Sequence, residues 1–249
     1  MRRLRTISTP RITMALILAA AIAISAGIAQ AALSGVPKPP QKPLAVAVHD
    51  AVTAPEIAGV SARIKFTNSL LPSGALPQGS SSPLMAGATG RLWATANGGF
   101  RLELQSDSGD AQIVSDGKRA VVFDSSSNTA YVADIPQDSK SAKTETHTAP
   151  TLADVRKGLA KLARTWNLSS AKPGVTAGEP SYTVHIAPKD DGGLLGAAEA
   201  AWDASKGVPL RAAIYAQGQK APVLELEATD ISYGAIPASR VAPIVPSGA

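Results

Sequence analysis

Three histidines, two alternating glutamates and one acidic doublet are the residues of this chain with types and spacing that could do chemistry. His49, His147 and His185 lie far apart in sequence, and there is no cysteine to join them. A metal site would need carboxylates gathered from distant segments, so the histidines are expected on the surface or on strand faces. Asp190-Asp191 could hold a cation weakly, but an acidic pair opening a turn is the ordinary explanation. Glu225 and Glu227 share one face of a strand-like stretch, as paired carboxylates would. Nothing places an acid, a base or an oxyanion donor beside them, and they are expected on a solvated face. The chain holds no G-x-S-x-G elbow, no H-E-x-x-H and no phosphate-cradling glycine motif. The expectation is a protein that is not an enzyme, with no catalytic residue, no metal and no cofactor.

Composition narrows the class further. The 249 residues are 45% hydrophobic, enough for a core, and 17% charged, which is low for a soluble protein; Gly 21 and Pro 19 are near average usage, so neither full disorder nor a collagenous repeat fits. The formal charge of +5 is mostly local: residues 1 to 31 hold Arg2, Arg3, Arg5 and Arg11 and no acid, so the rest carries 24 − 4 = 20 basic against 19 acidic residues, or +1. No nucleic-acid partner is expected. The absence of cysteine excludes disulfides, thiolate nucleophiles and the lipid-bearing cysteine of a bacterial lipoprotein.

The N-terminus reads as an address. A positive, acid-free start to Met14, an apolar run from Ala15 to Ala29 and the small-x-small Ala29-Gln30-Ala31 form a secretory signal, with cleavage expected after Ala31. The alternative is an uncleaved anchor, since Met14 to Ala32 is just long enough to cross a bilayer. Either way the chain is expected outside the cytoplasm, secreted into the periplasm or cell envelope, or tethered there. Residues 32–43, with Val36-Pro37-Lys38-Pro39-Pro40-Gln41-Lys42-Pro43, read as a Pro-rich extended spacer, leaving 44–249 as one domain.

Elements able to position a site follow from periodicity. Leu44 to Ala54 is a short helix candidate ending before Pro55. Val60, Ala62, Ile64 and Phe66 alternate with polar residues, the pattern of a strand with one wet face. Phe100, Leu102 and Leu104 repeat it, Asp116-Gly117 joins two strands as a hairpin, and Gly90 to Ala133 reads as an antiparallel meander. Leu152, Val155, Leu159, Leu162 and Trp166 fall at helical spacing, with Thr151 and Asp154 as a capping pair. The basic residues Arg156, Lys157, Lys161 and Arg164 cover its other faces; packing of the apolar stripe on the sheet is expected, with an anionic membrane as the alternative. Strands resume at Tyr182–Ile186, Leu210–Ala216 and Val223–Ser232. Strands in runs with one strong helix between them predict an α+β domain.

Two loops break the polar rule. The stretch from Leu70 to Gly87 is rich in Pro, Gly and Ser yet carries Leu70, Leu71, Leu76, Leu84 and Met85. It reads either as a cap on the core or as the lid or membrane-touching lip of a hydrophobic cavity. Gly192-Gly193-Leu194-Leu195-Gly196 poses the same question.

Three stretches, in order, resemble the outer-membrane lipoprotein carrier (LolA-like) family and its lipid-binding relatives in the actinobacterial envelope: Gly90-Arg91-Leu92-Trp93; Val114-Ser115-Asp116-Gly117-Lys118 with Phe123-Asp124 and Asn128; and Trp202-Asp203, Gly207-Val208-Pro209-Leu210-Arg211 and Pro246-Ser247-Gly248-Ala249. The resemblance spans Leu44 to Ala249. It implies a strongly curved antiparallel β-sheet, an incomplete β-barrel covered by helices, whose concave apolar face holds acyl chains. On that reading Ile64, Phe66, Leu92, Leu102 and Leu104, opposed by Leu159 and Trp166, line the cavity; if the helix does not stand off from the sheet, the same residues form an ordinary core. One position departs: the carriers have an arginine three residues after the tryptophan, pinning the lid, and here it is Ala96.

The function this implies is a non-catalytic extracytoplasmic carrier, a monomer that shields a lipid or an acylated protein between membrane donors and acceptors. The alternative is a sensory or regulatory binding module acting on a membrane-bound anti-sigma-type partner.

Overall fold

The structure is a computed structural model that describes residues 35–70, 82–107, 109–136, 149–190 and 193–249. The signal region, Leu71, Leu76, His147 and Asp191 therefore lie outside the described residues. Helix α1 (Leu44–Val52) opens after Pro43, whose fixed φ suits a helix start, and stops at Thr53 ahead of Pro55. Strand β1 (Gly59–Asn68), the four-residue helix α2 (Pro83–Ala86) and the meander β2 (Ala88–Thr95), β3 (Phe100–Ser106), β4 (Gly109–Ser115), β5 (Arg119–Asp124) and β6 (Thr129–Asp134) follow. Helix α3 (Leu152–Leu162) leads to β7 (Trp166–Leu168), β8 (Lys172–Thr176), β9 (Glu179–Pro188), β10 (Leu195–Asp203), β11 (Pro209–Ala216), β12 (Leu224–Tyr233) and a 3₁₀ turn at Ala238–Val241.

All twelve strands belong to one antiparallel sheet in the order β6-β5-β4-β3-β2-β1-β12-β11-β10-β9-β7, with β8 beside β7 on the same edge of β9. The expected α+β class, an open barrel with helices, is what forms: among the described residues β6 lies at one edge, β7 and β8 lie at the other, and the sheet does not close. Its curvature is visible in one contact. Ala177, in the β8–β9 turn, packs against a cluster of β1, β3, β4 and β12 residues. Across a flat sheet β9 would stand three strands, about 14 Å, from β12, so the sheet must curl to bring them together. The face carrying this contact is the inner one.

Local chemistry explains the well-read elements. Asp116 Oδ1 accepts from the amides of Lys118 and Arg119, and Gly117 takes a φ of +86°, which closes the β4–β5 hairpin. Thr151 and Asp154 form a reciprocal capping box at the start of α3. Gly90 is required by packing: a Cβ there would lie 1.8 Å from the Glu103 carbonyl oxygen on β3.

Two expectations are corrected. Trp166 does not continue α3; it opens β7, because its backbone pairs with Pro188 on the edge of β9, where a strand bond replaces one more helical turn. The apolar stripe of α3 does not lie on the sheet: α3 rests on α1, and it is α1 that meets the sheet. The last residues of the Pro-rich stretch also make contacts: Tyr182 Oη donates to the Pro40 carbonyl at 2.6 Å, Gln41 Nε2 donates to the Ala171 carbonyl and Lys42 pairs with Asp50.

Candidate functional site

The inner face has two apolar regions built by the register of the strands. In one, Ile64, Phe66, Leu92, Leu102 and Leu104 stand together with Ala62, Ala111, Leu226 and Ala228. Leu102 faces Leu92 across the β2–β3 ladder, and Phe66 faces Leu226 across β1–β12. Ile64, Leu102 and Leu104 are buried, whereas Phe66 and Leu92 are half-buried. Among the described residues the helical cover over this region is α2, which sends Leu84 onto the cluster. Ser82 caps α2 by accepting from the Leu84 amide, and Asn68 Nδ2 donates to the Leu84 carbonyl at 2.8 Å. Met85 is exposed, as is Leu70, 58% of whose surface meets solvent.

In the other region Leu44, Ala47, Val48 and Ala51 of α1 pack on Tyr182, Val184 and Trp202. The rings of Tyr182 and Trp202 meet tilted, 6.2 Å apart. Of the seven residues read as cavity lining, the structure brings the five strand residues together. Leu159 and Trp166 are half-buried beside α1 and the β9 edge and lie outside that cluster.

The family-like C-terminal motif is a lock for the second region. Asp203 is fully buried and its carboxylate accepts from the Ser205 amide and hydroxyl, the Lys206 amide and, at 2.6 Å, the Tyr233 hydroxyl. Burial pushes this carboxyl up, but the bonds from Tyr233, Ser205 and Lys206 outweigh it and hold the group at about 2. Gly207, at φ +67°, lets α1 dock, because a Cβ there would sit 2.1 Å from the Ala51 carbonyl oxygen.

The outer face holds a polar network that sequence reasoning missed. Arg211 on β11 donates to Glu199 on β10 and, at 2.6 Å, to Glu225 on β12, while the Tyr215 hydroxyl bonds both Arg211 and Glu199. His185 Nδ1 lies 3.3 Å from Glu199, so its expected place on a strand face holds. Glu225 and Glu227 are not on a solvated face: they are 1% and 6% exposed. The reason is register, since Arg211 stands opposite Glu227 and beside Glu225, drawing carboxylates into the sheet surface. Burial pushes both glutamates up against the pull of Arg211, Glu227 to about 7. Glu199 is more exposed, and its bonds from Arg211, Tyr215 and His185 outweigh burial and bring it down. The signal available in the sequence was an arginine flanked by apolar residues on a strand.

Further along the outer face the C-terminal tail straps β2 to β5. Arg240 lies over the Trp93 ring at 5.0 Å, Val241 packs beside Gly99, and Asn128 Nδ2 donates to the Gly248 carbonyl. Between the tail and the sheet is a cleft of about 530 Å³ lined by Arg101, Glu103, Gln112, Phe123, Ile244 and Pro246, with Leu104 also at its border. Ala96 is exposed in the β2–β3 turn. Among the described residues no group of His, Asp and Glu could hold a metal ion, and no helix is long and apolar enough to cross a membrane.

No protein-family model matches the chain, and no curated protein matches it. Solved structures do. A conserved protein from Thermus thermophilus, described as uncharacterized, is 9% identical, with 82% of this chain and 93% of that one covered and a TM-score of 0.47. A Pseudomonas aeruginosa MucA/MucB complex is 18% identical over 80% of this chain and 60% of that one, with a TM-score of 0.47. The LolA superfamily protein NE2245 from Nitrosomonas europaea is 11% identical over 81% and 98%, with a TM-score of 0.29. The family whose motifs the sequence resembles is thus represented among the structures similar to this chain.

Proposed function

We propose that this chain is a non-catalytic, extracytoplasmic carrier that binds an acyl chain, of a lipid or an acylated protein, on the inner face of β1 to β4. The observation that carries the reading is the unequal cover of that face. Over β9 and β10 the apolar residues lie under α1, with α3 stacked on it. Over β1 to β4 the helical cover among the described residues is the four residues of α2, through Leu84. An acyl chain taking the place of Leu84 would meet Ile64, Phe66, Leu92, Leu102 and Leu104 and would bury apolar surface at about 25 cal/mol per Å². Leu70 and Met85 flank that position and would close over the ligand as a lid. Secretion, through the charged start and the apolar run to Ala29, fits a role in the cell envelope.

The test is organic extraction of the purified protein followed by mass spectrometry. Acyl lipid in stoichiometric amount is the expected result. A lipid-free protein that captures a membrane-bound anti-sigma-type partner would instead make the chain a regulatory module.

A further inference from the structure

We propose that the exposed face of α3, with Lys189 and Leu194 at the same end of the sheet, is a docking surface for an anionic lipid bilayer. This deepens the carrier reading, on which it rests for its purpose, by naming the membrane partner.

The helix is divided cleanly. Leu152, Val155, Leu159 and Leu162 are half-buried, while Ala153, Arg156, Lys157, Gly158, Ala160, Lys161 and Arg164 are exposed. At 100° per residue Lys157, Lys161 and Arg164 fall within one narrow stripe, on the side opposite the leucines that rest on α1. The one acid in the helix, Asp154, is engaged with Thr151 in the capping box. From Thr151 to Arg164 the segment therefore carries 4 − 1 = +3. Among the described residues none of the four cations has a carboxylate within ion-pair distance, although Lys42, Arg101, Arg119, Lys206 and Arg211 all do. A solvated stripe of cations with no ion-pair partner among the described residues is the pattern that a negative surface complements.

The second component is apolar and adjacent. The Lys189 amide donates to the Thr165 carbonyl at 3.0 Å, which ties the end of β9 to the residue just past α3. Lys189 is exposed, with Asp190 beside it. Leu194, just ahead of β10, has 90% of its surface in solvent. An exposed leucine next to exposed cations suits a bilayer better than an acidic protein, because a bilayer offers hydrocarbon a few ångströms beneath its charges. The Gln217 amide donates to the Leu194 carbonyl, and the Ser69 amide donates to the Val223 carbonyl. These bonds run along one end of the sheet, and α2 sits at that same end, tied to Asn68. The docked surface would therefore face the bilayer together with the thinly covered apolar region, giving cargo a short path.

Flotation with vesicles tests this. The protein is used in the form the cell exports, so wild type and variants share one N-terminus, and vesicles of phosphatidylcholine alone are compared with vesicles containing phosphatidylglycerol. Wild type should float with the anionic vesicles and fall away as salt rises. K157Q/K161Q/R164Q should bind about a hundredfold more weakly, near fivefold per cation lost. L194S should lose about tenfold, and R63Q/R91Q, on exposed outer-face positions away from α3, should bind as wild type does. Equal binding to both vesicle types would overturn the proposal, and so would a triple variant that floats like wild type. An acidic protein bound in place of vesicles would overturn it as well. Extraction of the same triple variant separates the two readings: acyl lipid retained while docking never depended on these charges removes the docking surface alone, whereas charge-dependent docking by a lipid-free protein removes the carrier reading alone.

Discussion

The two apolar regions of the inner face are made from the same kind of residue and are held in different ways. Around β9 to β12, Asp203 organises the β10–β11 hairpin, Gly207 admits the end of α1, and Arg211 ties three strands together from the outer face. Around β1 to β4 the strands are as well paired, but among the described residues their inner side chains are covered by Ala177 of the β8–β9 turn and by Leu84 on a helix of four residues. A helix that short gains little from its own hydrogen bonds and depends on Ser82 and Asn68 to stay in place. The difference teaches where motion belongs: the locked region is a frame, and the thinly covered one is where a ligand can enter without undoing the frame.

The largest effect should come from breaking the frame. Gly207→Ala puts a Cβ 2.1 Å from the Ala51 carbonyl oxygen and does so at φ +67°. The hairpin and α1 cannot both keep their places, and a loss of at least about 3 kcal/mol is expected, measured by denaturant unfolding. Gly98, also at positive φ but with open space around it, is the control. Its replacement should cost only the backbone strain, about 1 kcal/mol. If both substitutions cost the same, the α1 contact contributes nothing and the frame is not where the comparison puts it.

The frame was partly legible in the sequence and the cover was not. Asp116-Gly117 and the Thr151/Asp154 pair read correctly because each is a local device whose partners lie within three residues. The alternation of Ile64 and Phe66, and of Leu102 and Leu104, gave one apolar face for the same reason. Strand β10 gave no such signal: five of its nine residues, Leu-Gly-Ala-Ala-Glu-Ala-Ala-Trp-Asp, are small, and alanine has little preference for a pleated surface. Its place is set by pairing with β9 and β11. The burial of Glu225 and Glu227 depended on Arg211, 14 residues from Glu225 in the chain and adjacent only through register. The stacking of α3 on α1 joins elements about a hundred residues apart, and periodicity shows that a helix has an apolar stripe without showing what covers it.

Filling the thinly covered region sharpens the comparison next. Leu102→Trp adds volume on the inner face beneath Leu84, at an expected cost of about 1 to 3 kcal/mol, because the added ring must displace α2 or strain the strands. The protein should still melt cooperatively while losing uptake of a fluorescent acyl probe. The equivalent change in the frame, Ala47→Trp, should unfold α1 from the sheet, since Ala47 is buried against Tyr182 and Trp202. Uptake that survives Leu102→Trp would place the ligand elsewhere.

The outer face of the frame supplies a pH test. Glu227 is raised from 4.5 to about 7 by burial, with Glu225 adding repulsion against the pull of Arg211 and Lys65. The folded chain thus holds a proton that the unfolded chain releases. Its contribution is fully present below 4.5 and is lost as pH rises through about 7. Asp203 acts in the opposite sense: its contribution is present above 3.8 and is lost as pH falls toward about 2. Between about pH 4.5 and 7 the contribution of Glu227 should decline with rising pH by at most about 1.4 kcal/mol per unit. Glu227→Gln, which cannot titrate, should flatten the curve from about pH 5 to 8 and leave the acid limb to Asp203. An unchanged slope would mean that Glu227 is ionised throughout.

The smallest effect on stability, and the closest test of the cover, is at α2. Leu84 touches the apolar cluster but is only half-buried, and its helix is one turn long. Leu84→Ala should therefore cost about 1 kcal/mol, below the range of about 2 to 5 kcal/mol for a leucine in a closed core. Its consequence for binding should run in two directions at once. An acyl probe would enter faster, because less apolar surface has to be lifted off Leu102 and Leu104, and would leave faster, because the closed form has lost the side chain that seals it. Amide exchange separates this lid from a structural flap: the amides of Leu84 and Met85 should exchange quickly in the empty protein and slowly in the loaded one, while those of Tyr182 and Val184 in the frame exchange alike in both. Equal exchange at α2 in the two states, with a loss in Leu84→Ala as large as a core leucine gives, would make α2 part of the frame and erase the distinction between the two regions.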